Sequence, residues 1–118
     1  MSTGAPRQRL AILGATGSIG LNTLAVVRQF PERFEIVALA AHRQVDAVLA
    51  AAREFGVAHV VIADAEAAAR ARSFAWDGLT IADGAAAVTE CAGRPDVDVV
   101  VNAVVGAAGL APTLVHRL

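Results

Sequence analysis

The chain has 118 residues, 56% hydrophobic and 18% charged, with a formal net charge of −1. That length and apolar content suit one globular domain with a real core and exclude a disordered chain. The near-neutral balance excludes the basic footprint of a nucleic-acid or anionic-membrane binder. All ten basic residues are arginine, which reads as genomic codon bias and not as mechanism. Cys91 is the single cysteine, so neither an internal disulfide nor a thiolate zinc cluster is available, and a reducing cytoplasm suits the chain.

In chain order, residues 1–8 lack the apolar core of a signal peptide and read as a disordered lead-in to one domain over 9–118. An apolar run at 9–13 reads as the first strand. It leads directly into Gly14-Ala15-Thr16-Gly17-Ser18-Ile19-Gly20, and then into a helix over 18–30. Strand, glycine turn and helix in that order are what a pyrophosphate site needs. Backbone N–H groups and the positive end of a helix dipole face the anion, and glycines sit where the backbone comes closest. Thr16 and Ser18 would add hydroxyl donors, and Ser18 also reads as the helix N-cap. Gly20, Leu24 and Val27 share one helical face, so Gly20 also suits close packing on the sheet, and Pro31 stops the helix.

Residues 34–41 form a nearly continuous apolar strand, as in a sheet covered on both faces. At its end, Ala41, His42, Arg43 and Gln44 precede the first acid, Asp46. An NAD site carries a carboxylate here for the ribose 2′-OH, whereas an arginine accommodates a 2′-phosphate. The reading is therefore NADP(H), with Arg43 on the 2′-phosphate and His42 nearby; the bland alternative is a solvated loop arginine.

Val45, Val48, Leu49 and Ala52 mark a second helix that closes at Gly56. A third strand at 59–63 follows, and Asp64 is placed to cap a short alanine-rich helix. A short strand at 79–81 then leads into a helix over 85–91, and a central strand spans 97–101. Asn102, Ala103, Val104 and Val105 come next, at the carboxyl end of that strand where open α/β sheets bind ligands. The glycines at 106 and 109 turn into an expected last helix, which stops without a glycine cap or polar tail and favours a chain cut inside a larger protein.

Alternating strands and helices predict an α/β, doubly wound, mostly parallel Rossmann-like sheet with helices on both faces and strand order near 3-2-1-4-5. His59 and His116 read as structural, Asp96 and Asp98 as solvated, Trp76 as a loop anchor and Cys91 as a small buried hydrophobe. No residues form a metal cluster or a general acid–base pair, so the expectation is a cofactor site without catalytic or metal-binding residues.

The motifs Gly14-Ala-Thr-Gly17-Ser-Ile-Gly20-x-x-Thr23-Leu24, Val37-Ala-Leu-Ala-Ala41 and Asn102-Ala-Val-Val-Gly106-Ala-Ala-Gly109-Leu110-x-Pro112-Thr113 resemble the N-terminal domain of the 1-deoxy-D-xylulose 5-phosphate reductoisomerases, from Leu10 onward. The resemblance implies an NADPH-dependent, Mg2+- or Mn2+-dependent homodimeric cytoplasmic enzyme. Its reaction converts 1-deoxy-D-xylulose 5-phosphate into 2-C-methyl-D-erythritol 4-phosphate on the way to isoprenoid precursors. It puts Thr16 to Ile19 on the cofactor phosphates, Ala41 to Gln44 around the 2′-phosphate, and Ala103 to Val105 near the nicotinamide half. His42 and Gln44 depart from the family's glycine and asparagine. The family's metal-binding acids, substrate-phosphate residues and active-site loop fall beyond position 118, so these residues alone should bind cofactor weakly and not turn over substrate. Two other readings stay open. One is a non-catalytic NADP(H)-sensing module; the other is an aspartate-semialdehyde-type dehydrogenase, for which Cys91 is badly placed.

Overall fold

The computed structural model describes residues 6–103 and the backbone of 113–116. Its elements are β1 (Gln8–Leu13), α1 (Ser18–Gln29), β2 (Phe34–Ala41), α2 (Val45–Phe55), β3 (His59–Ile62), α3 (Ala65–Arg72), β4 (Thr80–Asp83), α4 (Ala85–Ala92), β5 (Val99–Asn102) and β6 (Thr113–His116). One sheet holds all six strands in the order β4-β3-β2-β1-β5-β6. The first five are parallel, and β6 pairs antiparallel with β5.

Handedness explains the layers. The chain moves stepwise from β1 to β4, so right-handed crossovers put α1, α2 and α3 on one face. It then reverses, carrying α4 across the other face to β5 on the far side of β1. Strand alternation feeds both layers. Leu10, Ile12, Ile36, Val60 and Ile62 join Leu24, Val27, Val48 and Ala68 of the helices in one core. Ala11, Leu13, Ala38, Ala40 and Val100 join Cys91 of α4 in the other. The register slips between Leu10 and Ala11, where Val37 of β2 is skipped.

Helix ends follow their local chemistry. The Phe30 N–H closes α1 on the carbonyls of Val26 and Val27, with Pro31 behind it. Gly56 ends α2 in the left-handed conformation. The Asp64 carboxylate accepts the Ala67 N–H at 2.9 Å and caps α3, as its position in the sequence suggests.

Three expectations are corrected. The strand expected at 79–81 lies at the sheet edge beside β3, not beside β1, because the short α3 and its turn return the chain on the same hand. Ser18 is the first helical residue, and the N-cap position belongs to Gly17. Thr113–His116 is an edge strand and not part of a helix: β5 offers an open row of backbone groups, and the β-branched Thr113 and Val115 suit extended pairing. The turn expected at 106–109 lies outside the described residues.

Candidate functional site

The strand order reverses at β1, which has β2 on one side and β5 on the other. A crevice therefore opens at the carboxyl ends of these strands. Backbone hydrogen bonds fix its floor. The N–H groups of Gly14 and Ala15 both donate to the Ala40 carbonyl at 2.9 Å, and the Ala103 N–H donates to the Leu13 carbonyl at 2.8 Å. Three strand ends are thus held together around one cavity of about 480 Å3.

Each glycine of the turn has a separate job. Gly14 has φ +78°, where a side chain is strained, so it makes the sharp exit from β1. A Cβ on Gly20 would lie 2.3 Å from the Gly14 carbonyl oxygen and 2.6 Å from the carbonyl carbon of Ala15, so Gly20 lets α1 close onto the turn. A Cβ on Gly17 would meet only the Gly14 oxygen, at an ordinary 3.7 Å. The fold itself therefore tolerates a side chain at 17, and the open approach there serves whatever enters the cavity.

The electrostatics favour an anion. Gly17 caps α1 without a side-chain hydrogen bond, and α1 has no acid in its first turn. Asp46 and Glu66 stand in the first turns of α2 and α3, whereas α4, capped by Gly84, shares the acid-free start of α1. Among the described residues no acid compensates the positive end of α1 at the cavity wall, where Gly17, Ser18 and Ile19 lie.

Of the residues singled out from sequence, Gly14, Thr16, Gly17, Ser18, Ile19, Ala41, His42, Gln44 and Ala103 line this one cavity. Gly20 lies behind the wall as a packing residue. Arg43 lines an adjoining concavity. Val104 and Val105 lie outside the described residues. Asn102 is half-buried at the end of β5. Sequence reasoning missed Ala63 and Val88 in the lining. Ala63 follows β3, and Val88 reaches the cavity only because α4 crosses the sheet, a placement no local pattern encodes. It also missed the link between the two motifs: the Thr16 hydroxyl donates to Gln44 Oε1 at 3.3 Å, and the Arg43 N–H donates to the same oxygen at 3.3 Å.

The other candidates are structural. Burial pushes the Cys91 thiol up, away from the thiolate a nucleophile needs. Asp96 and Asp98, read as solvated, are in fact held in two-point pairs by Arg94 and Arg9, and both carboxyls are pulled below their usual range. Trp76 lies under the Arg53 guanidinium, 4.4 Å from its ring centre. Among the described residues, no three His, Cys, Asp or Glu side chains come together to hold a metal ion. No helix among them is long and apolar enough to cross a membrane.

A five-stranded parallel sheet with one antiparallel edge strand, helices on both faces and a glycine turn at the switch point define a Rossmann-like α/β domain. The family model of 1-deoxy-D-xylulose 5-phosphate reductoisomerase matches residues 10–116, and the chain belongs to that family. The reductoisomerase of Laribacter hongkongensis is 48% identical over 108 residues, and that of Pseudomonas putida strain W619 is 44% identical over 110. Each alignment covers 91% of this chain and 28% of the relative, so the chain spans a little over a quarter of those proteins. Among solved structures, the Zymomonas mobilis reductoisomerase in complex with NADPH superposes with a TM-score of 0.80 at 32% identity, over 88% of this chain and 27% of that one. A reductoisomerase in complex with NADPH, fosmidomycin and magnesium gives 0.74 at 43% identity, over 87% and 26%.

Proposed function

We propose that this chain is the NADPH-binding part of a reductoisomerase that converts 1-deoxy-D-xylulose 5-phosphate into 2-C-methyl-D-erythritol 4-phosphate. The observation that carries the reading is the end of β2. There His42 and Gln44 enter the phosphate cavity, Arg43 stands beside it, and no acid occurs before Asp46. An arginine without a carboxylate suits a ribose 2′-phosphate and leaves the 2′-OH of NADH without its usual acceptor.

The cavity fits the cofactor's charged middle. The pyrophosphate would lie against the Gly17 backbone and the positive end of α1, with Ser18 and Ile19 at the wall. Gln44, tied to Thr16, holds the glycine turn and the 2′-phosphate loop at a fixed spacing. Ala103 sits where the nicotinamide half would leave the crevice. NADPH, once bound, supplies the hydride for the reduction.

On this reading the magnesium- or manganese-binding acids lie beyond position 118, in the part of the protein that corresponds to the remainder of the relatives. It also carries a homodimeric, cytoplasmic enzyme acting on a sugar phosphate. The chain's own share of the chemistry is to bind and orient the cofactor.

Fluorescence titration of the chain with NADPH and NADH tests this. NADPH is expected to bind tighter by about tenfold or more, a difference typical of charged hydrogen bonds to one phosphate. Arg43→Ala should remove most of that preference. Equal affinities for both cofactors, unchanged in Arg43→Ala, would contradict the assignment.

A further inference from the structure

Arg43, Gln44, Asp46, Arg70 and Phe74 line a second concavity of about 460 Å3, joined to the first through Gln44, which lines both. Its chemistry differs from the rest of the surface. Arg7, Arg9, Arg28, Arg72 and Arg94 are each paired with an acid, and Arg33 and Arg53 lie over the rings of Phe30 and Trp76. Among the described residues, Arg43 and Arg70 are the arginines with neither kind of partner, and both line this concavity. Phe74, beside them, is 64% exposed, which leaves an aromatic face open to solvent.

The frame that places these groups is firm. The Ala63 N–H donates to the Ala41 carbonyl and the Asp64 N–H to the His42 carbonyl, each at 2.9 Å. The start of α3 is thereby tied to the segment that carries Arg43. Asp64 then caps α3, which fixes the direction in which Arg70 and Phe74 are carried. Two guanidiniums with no ion-pair or ring partner among the described residues, and a ring on the same frame beside the switch-point cavity, suit an adenosine bearing an extra phosphate. Guanidinium forks bind phosphate oxygens, and aromatic faces accept a purine. Asp46 opposes the anion from the same concavity, but no ion pair joins it to either arginine among the described residues, and two cations outweigh one carboxylate.

We infer that Arg70 is a second cation of the 2′-phosphate subsite and that Phe74 supplies the surface on which the adenosine half lies. The inference rests on the NADPH reading above and extends the subsite from the β2 loop to α3. The competing role for Arg70 is to complement the carboxyl end of α3, where it stands in the last turn. That role would alter stability without distinguishing one nucleotide from another.

The test uses NADPH, NADH, 2′,5′-ADP and 5′-AMP as probes on the 118-residue chain and its variants, with folding checked by thermal melting. Arg70→Ala should weaken NADPH and 2′,5′-ADP by about five- to tenfold and leave NADH and 5′-AMP within about twofold. Arg70→Lys, which keeps the charge at the helix end but not the guanidinium fork, should recover only part of the loss. Phe74→Ala should weaken all four probes by a similar factor, and no change in any of them would remove Phe74 from the site. If Arg70→Ala shifts both members of each pair alike, or neither, while Arg43→Ala still removes the NADPH preference, the role of Arg70 is overturned and the NADPH reading stands. If Arg43→Ala also leaves the preference untouched, or the parent chain shows none, both fall.

Discussion

Gly17 and Gly20 stand three residues apart in one motif, yet the backbone asks different things of them. A methyl at 20 runs into the Gly14 oxygen and the Ala15 backbone, atoms that cannot move without reshaping the turn. Gly20→Ala is therefore expected to destabilise the chain by about 1–3 kcal/mol, the usual cost of overpacking, measured by urea unfolding. A methyl at 17 meets nothing closer than 3.7 Å, so Gly17→Ala should cost no more than about 1 kcal/mol, the difference between glycine and alanine at a helix N-cap. It should nonetheless weaken NADPH binding by about tenfold or more, because the methyl stands where the phosphates would approach. Parallel losses of stability and binding in both variants would contradict this division. The helical face shared with Leu24 and Val27 already marks Gly20 as a packing glycine; that Gly17 is spared by its protein neighbours is not legible in the sequence. Glycine spacing reports a close approach; whether protein or ligand approaches depends on where α1 lies.

At the scale of elements, α3 is the part most dependent on a single side chain. It is eight residues long, and the Asp64 carboxylate satisfies one of its otherwise open N–H groups. Asp64→Ala should cost about 1 kcal/mol of stability, read as a lowered melting temperature. Asp64→Asn and Asp64→Ser, which also cap, should cost less. Because α3 carries Arg70, the alanine variant should also reduce the NADPH preference, whereas the capping variants should retain it. Most elements were legible here. The apolar run of β2, the 3.6-residue face of α2 and the Asp64 cap each declare themselves locally. The end of the chain did not. Thr113–His116 has apolar residues that suit either a helix or a strand, and what decides is the open edge of β5, a partner far away in the sequence. The position of β4 was equally hidden, since strand order depends on the hand and length of a crossover and not on the strand's own residues.

Across the whole molecule, ion pairs tie neighbouring elements at their ends. Arg9 and Asp98 join the starts of β1 and β5, and Arg28 with Glu54 joins α1 to α2. Hydrogen bonds from the guanidiniums hold the carboxyls of Asp98 and Glu54 below their ordinary values. Groups lowered in the folded state give stability that is present above the ordinary carboxylate range and lost as pH falls through the folded value. His59 adds a separate limb. Burial, assisted by Arg94, holds its pKa below the ordinary 6.5, so the unfolded chain takes up a proton first. Stability should therefore begin to fall as pH drops below about 6.5 and fall again in the acid range where carboxylates protonate. His59→Gln should flatten the upper limb and leave the lower one. A single acid transition, unchanged in that variant, would show that His59 does not contribute.

On the reading proposed above, NADPH enters the switch-point cavity and not another surface. Backbone amide chemical shifts recorded during an NADPH titration address it most directly. The expected result is a set of large shifts at residues 14–19, 41–44, 63, 88 and 103, extending to Arg70 and Phe74, with NADH shifting the glycine turn but not Arg43 or Arg70. Large shifts around His59 and Cys91, which line a separate cavity between α4 and the sheet, with residues 14–19 unmoved, would contradict it.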